Sequence, residues 1–190
     1  MVERRSPTAR AAILDAAFVL VGELGYARLS IEAIAARAGV GKQTIYRWWP
    51  SKGAVLFESI LARSEPTGLP DTGDLEADLR AVLRATVAEF TDPVFEVPLR
   101  ALTIAVLADE RLADDYRERL EEPTRERGRE RLRSAQLAGQ LPAGLDLDVA
   151  VDAIFAPLAQ RWLLRTGPLT PEYADALVAT ALRGLGGGSP

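Results

Sequence analysis

Residues 38–52 read AGVGKQTIYRWWPSK, and they hold three of the twelve aromatic side chains in the protein together with Lys42, Arg47 and Lys52. Cationic and aromatic groups interleaved in this way suit a polyanion. A glutamine such as Gln43 can pair with adenine, and Lys42 or Arg47 can pair with guanine. The Tyr46 ring can pack on a thymine methyl while its hydroxyl meets a phosphate. Lys52 and the hydroxyl of Ser30, at the start of a helix with free N–H groups, suit phosphate oxygens.

Catalysis is disfavoured by what the chain lacks. It has no histidine and no cysteine among 190 residues, which removes the commonest general base, the Ser-His and Cys-His nucleophile systems, disulfides and most zinc sites. Paired carboxylates remain, but the acids lie mostly at helix starts (Asp74, Asp109, Asp146) or on charged faces, where capping is their ordinary use. No cofactor or metal is expected.

The net charge of -4 conceals an asymmetry. Residues 1–52 carry eight Lys or Arg against four acids, whereas the remainder carries fifteen against twenty-three. A basic end on an acidic body points to a polyanionic partner for the first part alone. No apolar run approaches the roughly 20 residues of a membrane span, and MVERRSPTAR has no signal-peptide character, so the expected location is the cytoplasm with no membrane partner.

The elements that must carry these groups read as helices throughout. Ser6-Pro7 is a cap followed by proline, and Ile13, Ala16, Ala17, Leu20, Val21 and Leu24 then recur at helical spacing until Gly25. Ser30 caps a second helix lined by Ile31, Ile34, Ala35 and Ala38 and stopped by Gly39. A third helix starts near Gly41 and ends before Pro50. Ser51 caps a fourth that spans 52–63. The Pro- and Gly-rich linker 64–74 follows, and further helices are expected near 74–91, 93–108, 110–138, 147–166 and 171–185, about nine in all. Pro98, Pro123 and Pro157 should kink or break the helices that contain them. The expected organisation is a basic helical domain over 1–52 and an acidic helical domain over 53–190, joined through the fourth helix.

The second helix, the turn at Gly39-Val40 and the third helix have the proportions of a helix-turn-helix, which lays its second helix in the DNA major groove. Helical spacing turns Val40, Ile45 and Trp49 to the core and Lys42, Gln43, Tyr46 and Arg47 outward. It leaves Trp48 open between a contact to the DNA backbone and a wedge between helices.

Gly25-Tyr26, Ser30, Ile34-Ala35, Ala38-Gly39-Val40, Thr44-Ile45-Tyr46 and Ser51-Lys52 resemble, position by position, the DNA-binding domain of the TetR family of bacterial transcriptional regulators. The likeness covers roughly residues 8–60 and adds Thr44 and Trp48 to the implied DNA-binding set. Three positions depart from the pattern. Trp49 replaces the family's usual Phe, Trp48 stands where His is common, and Gly53 stands where Glu is frequent. PLAQRWLLRTGPLTPEYADALVATALRGL resembles the last two helices of one C-terminal domain type in the same family.

The resemblance implies a DNA-binding domain over 1–52, a regulatory and dimerisation domain over 53–190, and an all-α homodimer joined by a four-helix bundle. The dimer face is expected from Val151, Leu158, Leu163, Ala174, Leu177, Val178, Ala181 and Leu182. It also implies an unknown small-molecule effector that releases the protein from an inverted-repeat operator. Candidate pocket residues are Phe90, Phe95, Leu99, Arg100, Thr103, Tyr116, Phe155 and Trp162, with Arg100 also placed to pair with Glu96 one turn earlier. The seven arginines of RERLEEPTRERGRERLR, residues 117–133, are matched by five glutamates and read as a salt-bridged face. A ligand-responsive repressor, a ligand-independent DNA-binding regulator and, more remotely, a carboxylate enzyme all remain compatible with the sequence.

Overall fold

The computed structural model describes residues 7–64 and 68–186, and every described element is helical. The Ser6 cap and part of the linker lie outside the described residues. The chain divides into two compact units, one made of Met1–Pro66 with Pro93–Tyr116, the other of Thr67–Asp92 with Arg117–Pro190.

In the first unit, α1 (Pro7–Leu24) begins on proline and buries Ile13, Leu14, Ala16, Ala17, Phe18, Leu20 and Val21. Gly25 ends it at φ 74, a left-handed conformation that an L side chain resists. Ser30 then caps α2 (Ile31–Ala38), its Oγ accepting from the Ala33 amide at 3.1 Å. Gly39, at φ 66, closes α2, and the Val40 amide reaches back to Ala35 O at 3.0 Å. These end bonds satisfy backbone groups a free helix would leave to water. The helix α3 (Lys42–Tyr46) spans only five residues, and α4 (Lys52–Leu61) starts on Ser51, whose Oγ accepts from Ala54 N at 3.2 Å. Helices α6 (Glu96–Ala108) and α7 (Glu110–Tyr116) complete the unit, with α4 packed on α1, α6 and α7.

Gly53 explains how close that packing is. A Cβ there would lie 2.7 Å from Leu112 Cδ2 and 3.1 Å from the Tyr26 hydroxyl. A side chain at this position would therefore require Leu112 or Tyr26 to shift.

The second unit contains α5 (Leu75–Thr91), a π-helical turn (Arg117–Glu121), α8 (Glu122–Leu137), α9 (Leu147–Leu164) and α10 (Pro171–Gly186). Leu75, Leu79, Leu83 and Val87 of α5 join Leu132, Ala150, Ile154, Leu158, Ala174 and Val178 in one core. Asp74, Asp146 and Thr170 cap α5, α9 and α10. The expected number of helices is met if α7 and α8 are taken as one helical run interrupted by the π turn.

The three prolines behave differently, for a local reason each time. Pro98 sits in the first turn of α6, where an amide has no helical acceptor, so the helix starts at Glu96 and runs on. Pro123 lies just past the π turn at the start of α8, and the expected helix 110–138 continues through it with only that turn as a distortion. Pro157 lies inside α9, which nevertheless continues to Leu164.

The part of the linker before α5 is bonded to its own unit. Buried Arg131 and Asp78 pair at 2.7 Å, Asp78 receives the Thr72 amide and hydroxyl, and Arg131 Nε also donates to Pro70 O at 3.0 Å. Gln140 Nε2 donates to Gly73 O at 2.8 Å, while its Oε1 accepts from Leu75 N. The arginine-rich stretch is salt-bridged, as expected from its composition. Several of its partners, however, lie on α9: Arg125 pairs with Asp152, and Arg129 with Asp148 as well as Glu122 and Glu126.

Candidate nucleic-acid interface

The segment 38–52 folds so that one side of α3 is anchored and the other is open. Ile45 is fully buried and Trp49 is 5% exposed. Tyr46, between them, is 56% exposed. Lys42, Gln43 and Arg47 share its exposure, whereas Thr44 and Val40 are half-buried. The helical period thus separates buried from exposed side chains within one short helix, as its spacing predicts.

Lys42 Nζ meets Glu32 Oε1 at 3.0 Å, and both side chains are well exposed. That pairing, after the hydrogen bond to its own backbone, holds the Glu32 carboxyl below its ordinary value. An exposed pair of this kind is weak and can exchange its carboxylate for a phosphate at little loss. Ser30 presents the start of α2, with its hydroxyl oxygen engaged by Ala33 N.

Lys52 is placed differently from the expectation of a free phosphate-binding ammonium. Its Nζ donates to Tyr26 O at 3.0 Å and Leu29 O at 2.8 Å, and lies 4.5 Å from the Tyr26 ring centroid. It therefore ties the start of α4 to the loop between α1 and α2. The signal for this lay in Tyr26 and the carbonyls of a short loop, which no spacing rule addresses. Trp48 is half-buried and stacked on Trp49, with ring centroids 5.6 Å apart and 21° between the planes.

The other predicted sets are partly redistributed. Phe95, Leu99, Arg100, Thr103 and Tyr116 belong to the first unit, and Phe90, Phe155 and Trp162 to the second. Phe95 packs edge-on against Phe18, Tyr116 against Phe57, and Phe90 stacks on Trp162 at 4.5 Å. Trp162 Nε1 donates to Phe90 O at 3.0 Å, and Arg100 pairs with Glu96 at 3.1 Å. Leu99 O accepts from Thr103 Oγ1, and Phe155 is partly buried against the core of its unit.

The expected dimer face needs a correction. Val151, Leu158, Ala174 and Val178 are at most 4% exposed within the single chain, so its own core already consumes them. A second helix periodicity ran alongside theirs, and only packing could choose which side faced inward. Leu163 (38%) stays exposed, as do Val149 and Leu164 (60% each), while Leu177, Ala181 and Leu182 are partly buried.

Two helices across a left-handed glycine, the second anchored by Ile45 and presenting Gln43, Tyr46 and Arg47, define a helix-turn-helix DNA-binding protein. Residues 13–59 match the model of bacterial regulatory proteins of the tetR family, and residues 69–181 match the tetracyclin repressor-like C-terminal domain. The chain belongs to the TetR family of transcriptional regulators. It is 35% identical over 176 residues to the uncharacterized HTH-type transcriptional regulator YdeS of Bacillus subtilis strain 168, covering 92% of this chain and 88% of that one. It is 30% identical over 183 residues to the DNA-binding transcriptional repressor TetR of Mycobacteroides abscessus, covering 94% of each. The crystal structure of the TetR family regulator SCO0332 superposes with a TM-score of 0.70 at 36% identity, over 93% of this chain and 97% of that one. These relatives are regulators by name, and the protein is a DNA-binding transcriptional regulator of the same kind.

Proposed function

We propose that the protein is a homodimeric repressor that holds an inverted-repeat operator and leaves it when a small molecule binds the C-terminal domain. The observation that carries the DNA half of this reading is the exposed side of α3, with Tyr46 open beside Gln43 and Arg47 while Ile45 is sealed. Lys42 and the α2 start at Ser30 would meet phosphates, and Gln43, Thr44, Tyr46 and Arg47 would meet base edges or the adjoining backbone.

A five-residue reading helix can contact only a few base pairs. Two copies on half-sites about 34–36 Å apart, or a multiple of that, would supply the affinity that one lacks. The exposed Val149, Leu163 and Leu164 on α9, with the partly buried Leu177, Ala181 and Leu182 on α10, support a twofold pairing of these helices. Release requires an effector that binds the DNA-incompetent arrangement more tightly than the competent one. Its contacts would come from Phe95, Leu99, Arg100, Thr103 and Tyr116 of the first unit, or from Phe90, Phe155 and Trp162 of the second. No other cofactor enters the reading, and the site of action would be the cytoplasm.

Selection of random duplex DNA by the purified protein, followed by sequencing, tests it. An enriched inverted repeat supports the dimeric operator reading, and absence of enrichment from a refolded, ligand-stripped preparation overturns it. Screening small molecules for loss of the selected complex then separates an effector-responsive repressor from a ligand-independent one.

A further inference from the structure

The five residues of α3 are too few for a helix to hold itself, and Gly41 gives its start no side-chain cap. Its direction depends on anchors. Ile45 supplies one in the middle and Trp49 another just beyond the end. Trp48, stacked on Trp49, is only half-buried, so burial alone does not fix it.

A third group completes the arrangement. The Arg10 guanidinium, on α1, lies 5.9 Å from the centroid of the Trp48 ring and 5.9 Å from that of Trp49. With the two centroids 5.6 Å apart, the three centres form a nearly equilateral triangle, so the cation spans the stacked pair instead of covering one ring. Both distances fall within the range in which a guanidinium is attracted to an aromatic face. Arg10 also donates to Glu58 Oε2 on α4, and the Glu58 side chain is 15% exposed. The guanidinium is therefore tethered to α4 and joins α1, α4 and the exit of α3.

We propose that Arg10 is a positioning residue of the DNA-reading surface, holding the Trp48 indole against Trp49 so that it meets the DNA backbone already oriented. This rests on the DNA-binding reading above. An indole N–H is a donor only, which suits a phosphate oxygen. An aromatic group held in place before binding loses less conformational freedom when it docks. Arg10 acts through Trp48 and needs no contact of its own with DNA.

The test is a double-mutant cycle on affinity for the operator that the parent protein selects, using Arg10→Met, Trp48→Ala and the pair. Arg10→Met should weaken specific binding about fivefold, the scale of one partly exposed cation–aromatic contact. The salt dependence of binding should stay unchanged, and on the Trp48→Ala background Arg10→Met should add no further loss. Two stacked indoles couple their electronic transitions and split the far-ultraviolet dichroism. That splitting should shrink in Arg10→Met, vanish in Trp48→Ala, and recover in part in Arg10→Lys. If Arg10→Met does not fold, Glu58→Gln, which cuts the tether and keeps the cation, replaces it in the same cycle.

An unchanged affinity in a folded Arg10→Met protein overturns the positioning role. So does a salt slope lowered by about one with an equal loss on the Trp48→Ala background, which would make Arg10 itself a phosphate contact. A parent protein that selects no operator refutes the DNA-binding reading and this proposal with it, whereas selection by the parent with an indifferent variant refutes the proposal alone.

Discussion

Replacing Arg131 by methionine removes one half of the buried pair that holds the linker before α5. Arg131 and Asp78 side chains are each 2% exposed. Arg131 Nε and Nη2 reach Asp78 Oδ2 at 2.9 and 2.7 Å, and Thr72 supplies two more hydrogen bonds to the same carboxylate. Methionine occupies much of the arginine stem but strands a buried charge. Breaking a buried pair from one side costs about 3–5 kcal/mol. The Thr72 bonds remain, so the lower end, about 3 kcal/mol, is expected. Asp78→Leu with Arg131→Met removes the stranded charge and should recover part of this loss. The remainder reflects the Pro70 carbonyl and Thr72 amide left without partners, about 1–3 kcal/mol.

Urea denaturation followed by circular dichroism, at fixed protein concentration, reads these differences. Acid gives an independent check. Burial by itself would push the Asp78 carboxyl up, but hydrogen bonds from Thr72 and Arg131 outweigh it and hold the group below its ordinary value. A carboxyl lowered in the folded state contributes fully above its unfolded pKa of about 3.9 and loses that contribution as pH falls through the folded value. The stability gap between the parent and Asp78→Asn should be flat between about pH 7 and 5 and close only below about pH 4. An Arg131→Met protein within about 0.5 kcal/mol of the parent, or a double variant as unstable as the single one, would refute the reasoning.

Other side chains give sharper tests of the DNA-facing surface. Tyr46→Ala, at a site 56% exposed, should abolish specific operator binding while leaving the melt within about 0.5 kcal/mol of the parent; retained affinity removes Tyr46 from the contacts. Trp49→Ala should destabilise the protein by about 3–5 kcal/mol in denaturant, and a parent-like melt would contradict its burial at 5% exposure. Lys52→Met strands the Tyr26 and Leu29 carbonyls, so it should lower stability by about 1–3 kcal/mol and leave the salt slope of DNA binding unchanged. A slope lower by about one would show that Lys52 meets a phosphate as well. Gly53→Ala should destabilise by about 1–3 kcal/mol through overpacking against Leu112 and Tyr26, less a fraction regained from helix propensity, and a net gain in a thermal melt would show that Leu112 moves aside freely.

Much of the structure around α3 was legible because its rules are local. Ser30, Gly39 and Ser51 punctuate the helices as their chemistry dictates, and the 3.6-residue period assigns Ile45 and Trp49 inward and Tyr46 outward. Lys52 was not legible, since its partners are main-chain carbonyls more than twenty positions away. The outward side of α9 was half legible for a related reason. Helix α9 is apolar on more than one side, and periodicity names its stripes without ranking them. Val151 and Leu158 were drawn inward by α5, α8 and α10, leaving Leu163 and Val149 exposed.

The sequence by itself determined helices throughout the described residues, a short helix between a glycine turn and a proline, and the polar groups that helix turns outward. Helix ends and faces depend on neighbours within about four residues, and such neighbours are written in order. Only the tertiary structure decided that Gly53 packs against Leu112 and Tyr26, that Asp78 answers Arg131, that Lys52 serves the backbone, and that Arg10 bridges Trp48, Trp49 and Glu58. These pairings join residues 23 to 59 positions apart, where close packing and the need to satisfy buried polar groups choose the partner, and neither leaves a period in the sequence.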